Sequence, residues 1–430
     1  MEPVEIAILS TALLVFACVS ARAQTGAVSP PMAFAALGLI IGADGLRLVE
    51  LSTDSEFILK LAEITLALTL FIDASRIDVT ALDRRHAIPI RLLAIGLPLT
   101  MLAGTGAAWL LFPALGLWGA AVLAVALAPT DAALGQAVMS NRAVPLRVRQ
   151  ALNVESGLND GLAFPALLVV ATLAAGAEGR GAQGWAAFIA AQLLLGPLVG
   201  AAVGWLAARA SEQATARGWM DETYLRLAAL AVPLLAYGLA ETVDGNGFLA
   251  AFSCGLMVAA RGGRLRGAAG AFGEAEGQLL ALAVFVLFGA VLLPDLAGLS
   301  WRHGVFAALA LTVLRMGPVA LALLGTGLRP ATVAFLGWFG PRGMASVIYL
   351  LLVLEEYTIF PGLDDLRLTV LVTVAASILL HGISAAPLAR LYGRMVKRPE
   401  GGASEHDLVP TFALRHDPRR DRHGRRGERG

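Results

Sequence analysis

Charge is scarce in this chain of 430 residues. Asp, Glu, Lys and Arg together make up 15% of it, where soluble domains carry about 25%, and 57% of its residues are apolar. Such a chain cannot cover itself with polar surface in water, which excludes a soluble enzyme of standard fold. The same apolar content excludes a disordered protein. The formal net charge is only +1, which argues against an electrostatic nucleic-acid binder. Cysteine is nearly absent: Cys18 and Cys254 stand inside apolar runs and read as small buried hydrophobes, not as a disulfide. The opening Met-Glu-Pro-Val-Glu lacks the basic n-region of a cleavable signal peptide, so the first apolar run is expected to be a retained helix. What remains is an all-α polytopic membrane protein.

A spanning helix needs about 20 mostly apolar residues. That measure predicts about 13 spans, at 4–21, 31–49, 57–76, 87–112, 117–140, 148–176, 185–209, 222–241, 245–260, 275–295, 302–325, 331–354 and 366–393. With the N-terminus outside, basic residues fall 19 to 5 between inner and outer loops, the five being Arg47, Lys60, Arg180, Arg302 and Arg367. This alternation supports the count and an orientation with a cytoplasmic C-terminus. Spans 1–6 and 8–13 then start on opposite sides, as two inverted six-helix repeats would, with the seventh as linker. Residues 399–430, rich in Arg, Asp, His and Gly, read as a disordered cytoplasmic tail.

Ionisable groups at membrane depth cost on the order of 2.5–3.5 kcal/mol each by insertion scales, so their positions carry information. The candidates are Glu63, Asp73, Asp131, Glu155, Asp160, Arg315 and Arg342. Span 6 reads Asn153-Val154-Glu155-Ser156-Gly157-Leu158-Asn159-Asp160-Gly161. Helical periodicity gathers Glu155, Ser156, Asn159 and Asp160 on one face. These are hard oxygen donors suited to a small alkali cation, without the thiol or imidazole of a transition-metal site. A polar cluster that only joins helices is the alternative. Two acids so close in lipid, however, need a cation, a proton or an Arg.

Span 5 carries Ala128-Pro129-Thr130-Asp131 at its midpoint, and span 12 carries Phe339-Gly340-Pro341-Arg342-Gly343. Proline removes a backbone donor, and a break at that depth is tolerated only where it lines protein or a cavity. Interrupted helices at matching places in two repeats point to a transporter's binding site. A guanidinium at this depth needs an anionic partner, and Glu155 is the first choice for Arg342, which would leave Asp160 free to exchange ions.

These three motifs together resemble the bacterial sodium–proton antiporters of the NhaP type, in the first monovalent cation–proton antiporter family, which also holds the animal sodium–hydrogen exchangers. The resemblance covers residues 4–395. It implies the NhaA-like antiporter fold, with broken helices crossing at mid-membrane, in a transmembrane domain over 1–398. Within it a dimerisation bundle would comprise about 4–76 and 222–295, a linker helix about 185–209, and an ion-transport core about 87–176 and 302–393. The core would shift against the bundle in an elevator-like motion.

By the same resemblance Asp160 alternately binds cation and proton. Ser156 and the Thr130 carbonyl join Asp160 as ligands of a sodium ion, and Asp73 can complete the site. Asp131 looks like a supporting acid. Asn159 resembles the residue that separates the family from relatives with two adjacent aspartates, and Glu155 with Arg342 looks like a structural ion pair. One titrating carboxylate implies electroneutral exchange, one monovalent cation for one proton, by alternating access. Na⁺ is the expected cation, with Li⁺ and K⁺ as further candidates. The resemblance implies a transporter and not an enzyme, without cofactors beyond the transported ions. It also implies a homodimer in the lipid of the bacterial inner membrane, with neither nucleic acid nor organic substrate as partner.

The alternative is a sodium-coupled solute symporter of the same fold. A cation channel, and an intramembrane aspartyl protease built on Asp131 and Asp160, are remoter. Many members carry larger residues where Gly157 and Gly161 stand, so span 6 is expected to be more flexible here. Arg315 is expected to pair with a core acid, and His381 to pack between helices.

Overall fold

The computed structural model describes residues 3–25, 28–42, 45–48, 56–77, 87–175, 182–294, 296, 298–356, 361–396 and 405. Every regular element among them is helical. The chain begins with α1 (Pro3–Thr25), α2 (Pro30–Ile41) and α3 (Glu56–Ser75). Next come α4 (Ala87–Arg91), which runs through a π turn into α5 (Leu97–Leu111), then α6 (Gly116–Ala126), α7 (Ala132–Met139) and α8 (Leu146–Ala174). The middle holds α9 (Ala182–Ala216), α10 (Glu222–Glu241), α11 (Gly247–Arg261) and α12 (Gly263–Leu287). The last part comprises α13 (Trp301–Leu311), α14 (Val313–Ala322), α15 (Pro330–Trp338), α16 (Met344–Glu356) and α17 (Leu363–Val396).

Helices occupy the expected positions, but among the described residues only seven helical stretches are long and apolar enough to cross a membrane by themselves. The reasons are local. Spans 5 and 12 are each divided into two half-helices, α6/α7 and α15/α16. Span 3 carries Glu56, Lys60, Glu63 and Asp73 within α3. Spans 2 and 9 are short. Exposed leucines such as Leu110, Leu102 and Leu198 stud the outer helices, as lipid-facing surfaces require. Of the two cysteines, Cys254 is buried as expected, whereas Cys18 is exposed.

Beside the most extensive apolar cluster, which draws on α2, α3, α5–α8, α11–α13, α16 and α17, two smaller packed groups emerge. In the first, α9 lies against α11 along Gly196, Gly200 and Gly204, which meet the backbone of Asn246, Ala250 and Cys254. Small residues at a four-residue repeat let two backbones approach closely in lipid. Phe71, Val203, Ala229, Cys254 and Leu265 belong to one apolar cluster joining α3 to α9–α12. The second group joins α4, α7, α8, α14, α15 and α17 through Ile88, Val138, Val148, Val319, Leu336 and Tyr392.

One residue of the segment 399–430 is described. Glu405 is 1% exposed and accepts hydrogen bonds from the Arg329 N–H and the Thr332 hydroxyl, each 2.8 Å. Arg329 is the N-cap of α15 and caps nothing with its own side chain, so the tail supplies the missing carboxylate. Burial works to raise the Glu405 pKa, but these hydrogen bonds and the Arg329 charge outweigh it and hold the carboxyl below the ordinary glutamate value. The rest of 399–430 lies outside the described residues.

Candidate functional site

The two interrupted helices meet at their interruptions. The Asp131 N–H donates to the Pro341 carbonyl at 2.8 Å. Its carboxylate spans both breaks: Oδ1 accepts from the Ala133 N–H, capping α7, and Oδ2 accepts from the Met344 N–H at the start of α16, each at 2.7 Å. One carboxylate thus satisfies the positive ends of two half-helices. Arg342 works in the opposite sense. Its Nη1 donates to the carbonyls of Ala128 (2.5 Å) and Pro129 (3.1 Å), which lie just beyond the negative end of α6.

Arg342 therefore does not form the expected ion pair with Glu155. That partner is Arg315, whose Nη2 lies 2.5 Å from Glu155 Oε1, with both side chains almost wholly buried. The helix α13 ends at Thr312, whose backbone departs from helical geometry, and Arg315 follows in the first turn of α14. Its guanidinium passes over Gly340, where a Cβ would overlap Arg315 Nε. Gly343 performs the same service for Asp131, since a Cβ there would overlap Asp131 Oδ2. The two glycines of the Gly-Pro-Arg-Gly motif thus make room for one charge of each sign.

The helix α8 brings its polar face against the first break. The Ser156 hydroxyl donates to the Thr130 carbonyl at 2.7 Å, and Asn159 Nδ2 donates to Thr130 Oγ1 at 2.6 Å. Asp160 is 6% exposed, Asp73 4% and Asp131 8%. Asp73 of α3 lies over the same stretch of α8, its Cβ 3.7 Å from where a Cβ of Gly157 would stand. A cavity of about 60 Å³ reaches this region, lined by Asp73, Asp131, Thr69, Gln136, Gln278 and Met344 among others. Ser156, Asn159, Thr130 and Asp131 thus meet at the first break, with Asp73 over the adjoining turn of α8, Asp160 next after Asn159 along that helix, and Glu155 held by Arg315.

Glu63 belongs elsewhere. It lines a second cavity of about 340 Å³ together with Tyr237, Glu241, Glu355, Gln192 and Asn246, and pairs with Lys60 at 2.9 Å. Between this cavity and Asp160 stand four aromatic rings. Tyr237 packs on Phe248 at 5.2 Å, Phe248 on Phe164 at 4.9 Å, and Phe164 on Tyr349 at 5.7 Å. The Tyr349 hydroxyl donates to the Asp160 carbonyl at 2.7 Å. Tyr349 was not foreseen; the available signal was a phenol inside the aliphatic run Val347-Ile348-Tyr349-Leu350. His381 packs between helices as expected, with Nε2 2.9 Å from the Trp338 carbonyl and Nδ1 3.1 Å from Ser377 Oγ. Ser377 Oγ also receives the Arg342 N–H at 2.6 Å, so the second break is braced from α17.

Comparison with known proteins bears on the family and the fold. Residues 8–391 match the family model described as "Sodium/hydrogen exchanger, transmembrane". The chain is 24% identical over 412 residues to the K⁺/H⁺ antiporter NhaP of Alkalimonas amylolytica, covering 93% of this chain and 69% of that protein. It is 28% identical over 370 residues to the K⁺/H⁺ antiporter NhaP2 of Shewanella oneidensis, covering 83% of this chain and 62% of the relative. A Na⁺/H⁺ antiporter of Schizosaccharomyces pombe is 25% identical over 325 residues, covering 68% of this chain and 69% of that protein. Among solved structures, the sodium proton antiporter MjNhaP1 of Methanocaldococcus jannaschii shares the fold with a TM-score of 0.71 at 20% identity, covering 90% of this chain and 97% of that one.

Proposed function

This chain belongs to the sodium/hydrogen exchanger family, and on that premise we propose that it exchanges a monovalent cation for a proton at Asp160 by alternating access. The observation that carries the proposal is the surroundings of Asp160. A carboxylate buried in an apolar chain stands beside a break where Ser156 and the Thr130 carbonyl meet at 2.7 Å. When Asp160 is ionised, a partly dehydrated cation takes the carboxylate, the Ser156 oxygen, the Thr130 carbonyl and Asp73 as ligands. When Asp160 is protonated, the same site returns a proton. An empty anionic site is costly to move through a low-dielectric seal, so the site changes sides only when loaded.

Both Asp131 oxygens accept backbone N–H groups, and Glu155 is held by Arg315. With these two acids in structural roles, we infer Asp160 as the exchanging carboxylate from its place beside Ser156 and Asn159 on α8, and a one-for-one, electroneutral stoichiometry. Relatives named for K⁺ and for Na⁺ leave Na⁺ and K⁺ as the two cations to compare first. In the orientation set by the basic loops, the Asp73 cavity faces the cytoplasm and the Glu63 cavity the outside. A homodimer through the group around α3 and α10–α12 is part of the same proposal.

Dye-quench transport in proteoliposomes tests it. Wild type is expected to dissipate a preformed proton gradient when Na⁺, Li⁺ or K⁺ is added, with an order of preference among them. Asp160→Asn is expected to abolish the response to all three, and wild-type-like exchange by that variant would overturn the assignment.

A further inference from the structure

The helix α11 directs two phenylalanines one turn apart at α8. Phe248 packs on Phe164 at 4.9 Å, in the aromatic wall between Asp160 and the Glu63 cavity. Phe252 lies in a notch at Gly161, where any Cβ would overlap the Cδ2 and Cε2 atoms of its ring. The slack expected at Gly161 is therefore taken up by a side chain from the other helix group. One turn back along α8 stands a second notch, Gly157, open apart from Asp73. One knob on α11 thus faces a helix with two notches four residues apart.

These helices divide along the line on which transport must act. The helix α8 carries Ser156, Asn159 and Asp160, whereas α11 packs on α9 and α3 and carries none of the residues that meet at the breaks. The C-terminal half of α8 lines the Glu63 cavity through Leu167, Leu168 and Ala171. Bringing Asp160 to that cavity moves α8 toward its own C-terminal end. At 1.5 Å of rise per residue, a four-residue step is a travel of about 6 Å. That step takes Gly161 away from Phe252 and delivers Gly157 to it. Packed knobs move between discrete seats rather than sliding continuously, and one-turn steps of this kind are a known form of helix shift.

We propose that Phe252 is a positioning residue for the transport step, seated at Gly161 in this conformation and at Gly157 in the alternate one. A side chain at 157 then blocks the second seat and leaves the first intact. A side chain at 161 does the reverse. The proposal rests on the alternating-access reading of Asp160.

The test uses full-length protein in proteoliposomes, with Cys18→Ser and Cys254→Ala as background. Single reporters Gln278→Cys and Leu168→Cys are placed at the Asp73 and Glu63 cavities and labelled with a maleimide. Gly157→Leu is expected to slow exchange by about tenfold or more with cation KM changed less than about twofold. It should also shift labelling at 278 and at 168 in opposite senses. Gly161→Ala is expected to shift labelling in the opposite direction. Adding Phe252→Ala to Gly157→Leu is expected to return exchange to within about threefold of the background rate.

Three results would overturn the proposal: Gly157→Leu with background exchange and labelling, both glycine variants shifting labelling the same way, or no rescue by Phe252→Ala. The last would show that bulk at 157 acts through Asp73. The Asp160→Asn control is read separately. Exchange surviving in that variant counts against Asp160 as the carrier, while the labelling shifts still report on the two seats.

Discussion

The two helix breaks look alike in sequence and do different work. The first, at 127–131, offers oxygen atoms: the Thr130 carbonyl and hydroxyl face α8, and the Asp131 carboxylate caps two half-helices. The second, at 339–343, offers a guanidinium and empty space: Arg342 reaches the carbonyls of the first break, and Gly340 and Gly343 admit Arg315 and Asp131. One break turns oxygen atoms toward α8, and the other neutralises and shapes it. A crossing of two broken helices is therefore not symmetric in its chemistry, because the third helix, α8, lies against the first break.

The largest expected effect comes from the charge that passes the second break. Arg315→Leu leaves Glu155 buried without its ion-pair partner, which costs about 3–5 kcal/mol, and the double variant with Glu155→Leu should recover most of the loss. Thermal unfolding in detergent measures both. If Arg342→Leu, and not Arg315→Leu, is the variant rescued by Glu155→Leu, the pairing is misassigned.

Next comes the shared cap. Asp131→Ala strips the acceptors from α7 and α16 together, and two caps at about 1 kcal/mol each predict a loss of about 2 kcal/mol. A loss no larger than that of an ordinary single cap would show that the breaks are held by other contacts.

Smaller still is Ser156→Ala, which removes one proposed ligand and leaves both breaks intact. The KM of the preferred cation should rise by about fivefold, equivalent to about 1 kcal/mol, with kcat little changed. A fall in kcat at constant KM would move Ser156 from binding to the translocation step.

The smallest effect is on α15, the half-helix leading into the second break. Glu405→Gln should cost about 0.5–1 kcal/mol. Because the folded Glu405 pKa lies below its ordinary value, its contribution is fully present above that ordinary value and fades as pH falls through the lowered one. Wild type and variant should therefore differ in stability near neutral pH and converge in acid. A constant difference across that range would mean that the cap does not depend on charge.

Much of this site was legible before folding. Pro129 and Pro341 interrupt helices wherever they stand, and the spacing of Ser156, Asn159 and Asp160 sets them on one face of α8. Which arginine serves Glu155 was not legible, since Arg315 and Arg342 are equally cationic and equally deep. The choice rests on the Thr312 break and on the room above Gly340, both properties of packing. The same holds for Gly161, whose missing side chain reads as slack until Phe252 is found to fill it.

The chain by itself determined its solvent, the positions of its helices, the two interruptions and the polar face of α8. All of these follow from backbone chemistry and burial costs that act within a turn or two of sequence. The partner of each buried charge, the carboxylate that caps two helices and the ring seated in a glycine notch were decided only in three dimensions. Those outcomes depend on which distant helices approach closely enough to exclude lipid and water from between them.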